Sequence, residues 1–234
     1  MHECPQNSPP LADGLALIFD MDGVIVHSNP LHRDAWIAYN RLNGLETTDE
    51  MLARMYGGRN DQIIRDFFGA DLTDQEVFDR GAAKEALYRE MMGDRLEEML
   101  VPGLRTFLDS YRGSPLAIAT NAEPENVNLV LDGAGLRPYF RAVVDGHQVS
   151  RPKPHPDVYL RAAQLLQIPP ADCIVLEDSH TGIAAARAAG MRVIGIRTTH
   201  VNLPNTDLQA DNFNNGSLPS WLKAQTRAVG PISS

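Results

Sequence analysis

Five short apolar runs, Leu15–Phe19, Leu116–Ala119, Ala142–Val144, Ile174–Leu176 and Val193–Ile196, divide the chain, and most are bounded by polar or turn residues. Each has strand length and little alternation, the pattern of strands buried on both faces. Helical patterns fill the gaps between the later runs, at Glu125–Gly133, Asp157–Leu166 and Thr181–Ala189, with Gly190 as a stop after the last. This alternation predicts an α/β fold with a Rossmann-like parallel sheet covered on both faces. In such sheets ligands bind beyond the carboxyl ends of the strands.

One segment breaks the alternation. From Pro30 to Leu100 the patterns are helical throughout, at Leu31–Asn43, Asp61–Phe68 and Asp74–Met92. It predicts an inserted all-helical cap at 30–100, between core segments 11–29 and 101–225, with flexible tails at 1–10 and 226–234. Val101-Pro102-Gly103 marks the return to the core.

The net charge of −9 over 234 residues disfavours nucleic acid, whose binding rests on cationic side chains. No run approaches the ~18 apolar residues of a membrane span, and the polar N-terminus carries no leader pattern. These features predict a soluble cytoplasmic protein, taken as a monomer, with Cys4 and Cys173 as reduced thiols. An anionic substrate would need a local cation to overcome the overall field.

The first strand ends in Asp20-Met21-Asp22-Gly23. Two carboxylates at a buried strand end repel unless a cation or proton intervenes, although a turn or helix cap would also use them. The fourth run ends in a second acidic pair, Glu177-Asp178, on the same sheet edge. Carboxylates gathered from separate strands make an oxygen site suited to Mg²⁺, and neither cysteine joins them. Thr120-Asn121 closes the second strand as either a phosphate cradle or a helix cap. Lys153, between Pro152 and Pro154, is either a substrate contact or a solvated loop charge.

Taken in order, Phe19-Asp20-Met21-Asp22-Gly23, Thr120-Asn121, Lys153-Pro154 and Glu177-Asp178 resemble the four motifs of the haloacid dehalogenase superfamily. The helical insertion resembles its cap. Lys153-Pro154-His155-Pro156-Asp157-Val158-Tyr159 and Leu176-Glu177-Asp178-Ser179-His180-Thr181-Gly182 look like the β-phosphoglucomutase and sugar-phosphate phosphatase branch. The resemblance implies that Asp20 attacks phosphorus to form an aspartyl-phosphate, and that Asp22 serves as acid and then base. It implies Mg²⁺ held by the Asp20 carboxylate, the Asp22 carbonyl and Asp178, with Glu177 as a further contributor, while Lys153 and Thr120 bind phosphoryl oxygens. Asp22 argues against dehalogenation, which needs no leaving-group acid.

A small phosphorylated metabolite, a sugar phosphate first, is the expected substrate, and water the expected acceptor. The alternatives are a phosphomutase and a catalytically idle member that only binds a phosphorylated ligand. Ser28 and His32 resemble linker positions of the mutase group, although His32 beside Leu31 and Trp36 also reads as a cap-helix residue. Gly57-Gly58-Arg59-Asn60-Asp61 is similar to that group's substrate loop, and Lys84-Glu85 to its cap lysine position. Arg59 is the candidate contact to a distal phosphate, but the ungapped register puts Asn60 there. Arg59 and Lys84 also read as solvated helix-end charges. His200 has no assigned role.

Overall fold

The computed structural model describes residues 11–55 and 58–225; the tails at 1–10 and 226–234, with Cys4, and the cap residue Gly57 lie outside the described residues. Six parallel strands form one sheet: β1 (Ala16–Phe19), β2 (Leu116–Ala119), β3 (Ala142–Val144), β4 (Cys173–Glu177), β5 (Arg192–Ile196) and β6 (Leu208–Ala210), in the order β3-β2-β1-β4-β5-β6. The chain moves outward from β1 to β3 and returns on the other side of β1 as β4. The gap between β1 and β4 is therefore the switch point where such sheets hold ligands.

Side-chain alternation splits the core in two. Leu17, Phe19, Leu116, Ile118, Ile174 and Leu176 face one layer, packed against α6 (Leu104–Ser110), α7 (Pro124–Gly133) and α10 (Ser217–Lys223). Phe19 meets Phe107 and Phe140 edge-to-face, at centroid separations of 6.2 and 5.7 Å. Ala16, Ile18, Ala117, Ala119, Val175 and Val193 face the other layer, against α8 (Asp157–Leu166) and α9 (His180–Ala188). The many alanines on that face let both helices lie close to the strands.

The cap is built from α1 (Asn29–Leu42), α2 (Asp49–Met55), α3 (Asn60–Phe68), α4 (Asp74–Met92) and α5 (Leu96–Met99). Its own apolar cluster joins Trp36, Tyr39, Ile63, Ile64 and Val77. Thr73 and Glu76 form a reciprocal capping box that starts α4. The segments entering and leaving the cap touch through an isolated antiparallel bridge between Val26 and Leu100. Beyond the expected elements, the structure adds β6, α2, α5, α6 and α10. No helix among the described residues is long and apolar enough to cross a membrane.

Candidate active site

Register decides what gathers at the carboxyl edge. Phe19 pairs with Leu176 and with Ile118, so Asp20 leaves β1 level with Glu177 and Ala119, and Thr120 follows one residue on. The Asp20 N–H donates to the Leu176 carbonyl at 3.0 Å, and Thr120 N–H to the Val144 carbonyl at 3.0 Å. One oxygen each of Asp20, Glu177 and Asp178 lie within 4.8 Å of one another.

Lys153 is the cation of this cluster. Its Nζ lies 2.8 Å from Asp20 Oδ1 and 2.8 Å from Glu177 Oε1, with the Tyr159 ring 4.8 Å away. The loop that carries it is tied to β2 by donation from Lys153 N–H to Asn121 Oδ1 at 3.2 Å. Burial lowers a lysine's proton affinity, but Asp20 and Glu177 outweigh that and hold Lys153 firmly charged. Thr120 Oγ1 accepts from the Ala122 N–H at 3.1 Å, and Thr120 and Asn121 line the cleft above Asp20.

The three carboxylates differ in what surrounds them. Both oxygens of Glu177 are engaged: Oε1 accepts from Lys153 and Tyr159 Oη, Oε2 from the Asp178 and Ser179 N–H groups and Ser179 Oγ. These bonds, Lys153 first among them, outweigh burial and keep Glu177 ionised below its usual range. Asp20, by contrast, is pushed up to about 7 by burial, against the pull of Lys153. Burial, Glu177 and Asp20 raise Asp178 well above the carboxylate range. Two buried carboxyls that resist ionisation beside a third that is fully hydrogen-bonded are a pair that a divalent cation would relieve. The donor set is all oxygen, which suits Mg²⁺. Cys173 stands at the opposite end of β4, its thiol raised to about 12 by burial.

Asp178 has two partners that the sequence did not reveal. Its Oδ2 accepts from Thr199 Oγ1 and from Asn29 Nδ2 (3.0 Å), and Asn29 Nδ2 also donates to Thr199 Oγ1 at 2.6 Å. Thr198 Oγ1 donates to the Gly23 carbonyl at 2.5 Å. The segment after β5 thus ties the Asp178 carboxylate to the Asp22-Gly23 turn. The sequence signal, two hydroxyls just past a strand end, was present at Thr198-Thr199. His200 turns away and lies against His180, ring centroids 4.6 Å apart.

Two glycines make room for these acids. A Cβ on Gly23, whose φ is +80°, would overlap the Asp178 carboxylate. A Cβ on Gly182, in the first turn of α9, would overlap that of Glu177. In an open helix Gly→Ala stabilises by up to about 1 kcal/mol. At Gly182 the clash reverses the sign, and we expect Gly182→Ala to destabilise by about 1–3 kcal/mol in urea unfolding.

Asp22 faces the cap. Its Oδ1 accepts from Ser28 Oγ at 2.5 Å and meets His32 Nε2 at 3.3 Å. Lys84 Nζ reaches His32 Nδ1 at 2.8 Å and Glu85 Oε1 at 2.8 Å. An ammonium only donates, so Nδ1 accepts and Nε2 carries the proton toward Asp22. His32 stacks on Tyr88 with centroids 3.8 Å apart. Burial raises the Asp22 carboxyl, but His32 and Ser28 bring it below its usual range. Burial likewise opposes ionisation of Glu85, yet Lys84 and His32 hold it at about 2.

The cap and core meet over the cleft. Asn60 Nδ2 donates to Glu85 Oε1 (2.7 Å) and across to Glu123 Oε1 (3.0 Å), while Asn126 Nδ2 donates to Glu85 Oε2 (2.6 Å). Of the two cap candidates for a distal phosphate, Asn60 lines the cleft and Arg59 does not. Arg59 is drawn aside by Asp61, with Nε and Nη2 at 2.8 and 2.5 Å, and its Nη1 points to the Gly146 and Val149 carbonyls. Lys84 lines the cleft but is only 1% exposed, buried against Trp36 and Tyr88 rather than solvated.

Known proteins resemble this chain in sequence and in fold. Residues 15–190 match the family model of haloacid dehalogenase-like hydrolases. The chain is 34% identical over 182 residues to fructose-1-phosphate phosphatase YqaB of Escherichia coli, covering 77% of this chain and 95% of the relative. It is 29% identical over 186 residues to β-phosphoglucomutase of Bacillus subtilis, covering 77% and 82%. The crystal structure of a family IA, variant 3 hydrolase of the same superfamily from Entamoeba histolytica superposes with a TM-score of 0.78 at 25% identity, covering 89% of this chain and 98% of that one. With four polar motifs, three of them charged, on one sheet edge beneath a helical cap, the chain belongs to the haloacid dehalogenase-like hydrolases, as an enzyme of the phosphoric monoester hydrolase or phosphomutase kind.

Proposed function

We propose that this protein is a magnesium-dependent phosphatase acting on a small sugar phosphate through an aspartyl-phosphate on Asp20. The observation that carries the reading is the setting of Asp20: a buried carboxylate at the switch point, ion-paired to Lys153, beside Asp178 and at the floor of a cleft lined by Thr120 and Asn121. The relatives named for phosphate esters of sugars support the substrate class.

In this reading an Asp20 oxygen forms a bond to phosphorus as the bond from phosphorus to the sugar oxygen breaks. Asp22 gives its proton to the departing oxygen. It rests ionised against His32 and Ser28; a phosphate dianion arriving beside it raises its proton affinity, as a leaving-group acid requires. Asp22 then takes a proton from water, which attacks the phosphoryl group and frees Asp20. Lys153 and Thr120 hold the other phosphoryl oxygens, and Glu177 keeps Lys153 in place. Asp20, Asp178 and the Asp22 carbonyl are the groups to hold Mg²⁺, which when bound offsets charge between nucleophile and phosphate. Glu177, with both oxygens engaged, acts as a support rather than a ligand.

The mutase remains the second reading because His32 and Lys84 couple the cap to Asp22. Against it stands Arg59, occupied by Asp61. Incubation of sugar monophosphates with Mg²⁺ is expected to release inorganic phosphate, and excess EDTA to remove that activity; full activity in EDTA would refute the metal assignment. With β-glucose 1-phosphate and catalytic glucose 1,6-bisphosphate, free phosphate supports the phosphatase and glucose 6-phosphate the mutase. Binding of these esters without any turnover would mark an idle member.

A further inference from the structure

The cleft above Asp20 runs past Asp22 to a wall formed by Asn60 of α3, Glu85 of α4, and Glu123 and Asn126 at the start of α7. This wall is where the leaving group must sit, since the phosphoryl end is fixed by Asp20 and Lys153. The charges on it do not suit an anion. Lys84 is enclosed by Glu85, His32 and the Trp36 and Tyr88 rings, so its ammonium and the Glu85 carboxylate balance one another.

Glu123 lacks a partner of that kind at ion-pair distance. Its Oε1 accepts from Asn60 Nδ2, and among the described residues it forms no ion pair, while two cap arginines are engaged elsewhere, Arg59 by Asp61 and Arg89 by Asn126 Oδ1 at 3.0 Å. Burial raises the Glu123 carboxyl above its usual range and Glu85 adds to the effect, against the opposing pull of the Asn60 hydrogen bond and of His147 and Lys84 from further off. The far end of the cleft presents the Glu123 carboxyl, outside ion-pair distance of any cation among the described residues, together with hydrogen-bonding side chains. A second phosphate placed there would face a carboxylate without a cation, whereas sugar hydroxyls would donate to it.

We propose that Glu123 determines the substrate class of this site: a sugar monophosphate whose far end presents hydroxyl donors, with bisphosphates excluded by like charge. The proposal rests on the phosphatase reading and sharpens it, because a mutase must seat a bisphosphate at both ends. Selectivity built this way acts through the disfavoured ligand as much as through the favoured one.

The test uses the full chain with Mg²⁺ and matched pairs: fructose 1-phosphate against fructose 1,6-bisphosphate, and glucose 1-phosphate against glucose 1,6-bisphosphate. Total phosphate release gives kcat/KM for each, and p-nitrophenyl phosphate reports the chemistry without a far end. The wild-type chain is expected to favour the monophosphate by about ten-fold or more, the range of differential effects from one misplaced charge. Glu123→Gln keeps an acceptor for Asn60 and is expected to narrow the ratio several-fold, through KM for the bisphosphate. Glu123→Lys, shown folded by circular dichroism, is expected to narrow it by about ten-fold or more.

If p-nitrophenyl phosphate is hydrolysed but the wild-type ratio is near one, or neither substitution moves it, the Glu123 assignment is overturned and the phosphatase reading stands. If no phosphate ester in the set is hydrolysed, the phosphatase reading falls and the assignment falls with it.

Discussion

Asp20→Asn abolishes turnover, with kcat for any accepted phosphate ester expected to fall by on the order of 10⁴-fold or more, the scale seen when a covalent nucleophile is removed. Shape and charge together decide this outcome. Asparagine fills the same space at the end of β1 and still offers Lys153 an acceptor oxygen, while Glu177 retains its own pair with Lys153. The amide cannot form the acyl phosphate. Because the Asp20 carboxyl is raised to about 7 by burial, its replacement removes a charge the fold resists. The melting temperature without metal should therefore stay level or rise. Wild-type activity in the variant would remove Asp20 from the chemistry, and a collapse in far-ultraviolet circular dichroism would show that the loss was structural.

How far the sequence carried this reading depended on distance along the chain. β1 through β5 were legible because both faces are buried and every position is apolar or nearly so. β6 was not: Leu208-Gln209-Ala210 is a three-residue edge strand with a polar centre, and it gains its place only by pairing with β5. α6 and α10 are seven residues each, too short for a helical period to stand out, and α10 contains Pro219.

The same rule holds at the site. Asp20, Asp22, Thr120, Lys153 and the Glu177-Asp178 pair announce themselves as short motifs at strand ends. Asn29 reaches Asp178 across 149 residues with nothing local to mark it, and Thr199, 21 residues from Asp178, is marked only by the hydroxyl pair just past β5. Glu123 and Asn126 acquire meaning only when α3 and α4 close over them. Arg59 shows the opposite case, in which a local pair decides: with Asp61 two residues on, its guanidinium is engaged before any substrate arrives.

Lys153→Met should be the most destabilising single change at the site. Methionine matches the lysine stem in length, so packing is largely kept and the loss is the ammonium. Asp20 and Glu177 would then be buried without a cation, next to Asp178. Breaking a buried pair in this way costs about 3–5 kcal/mol. For a chain of this size that corresponds to a fall in melting temperature of about 6–20 °C.

The pH dependence follows from the direction of each shift. Asp20 has its carboxyl raised from 3.8 to about 7, so the protonated form is the one the metal-free fold prefers. That contribution is complete below pH 3.8 and disappears as the pH rises through about 7. Without Lys153 the carboxyl titrates higher still, and the loss of stability in the variant should deepen between pH 5 and pH 8. Added Mg²⁺ should oppose this, raising the melting temperature more at pH 8 than at pH 5, because a ligand that binds only the ionised folded state stabilises by mass action. Melting curves at the two pH values, with and without Mg²⁺, measure all four corners. A variant as stable as the wild type at pH 8 without metal would mean that Lys153 does not offset the buried carboxylates, and that their charge is dispersed by solvent entering the cleft.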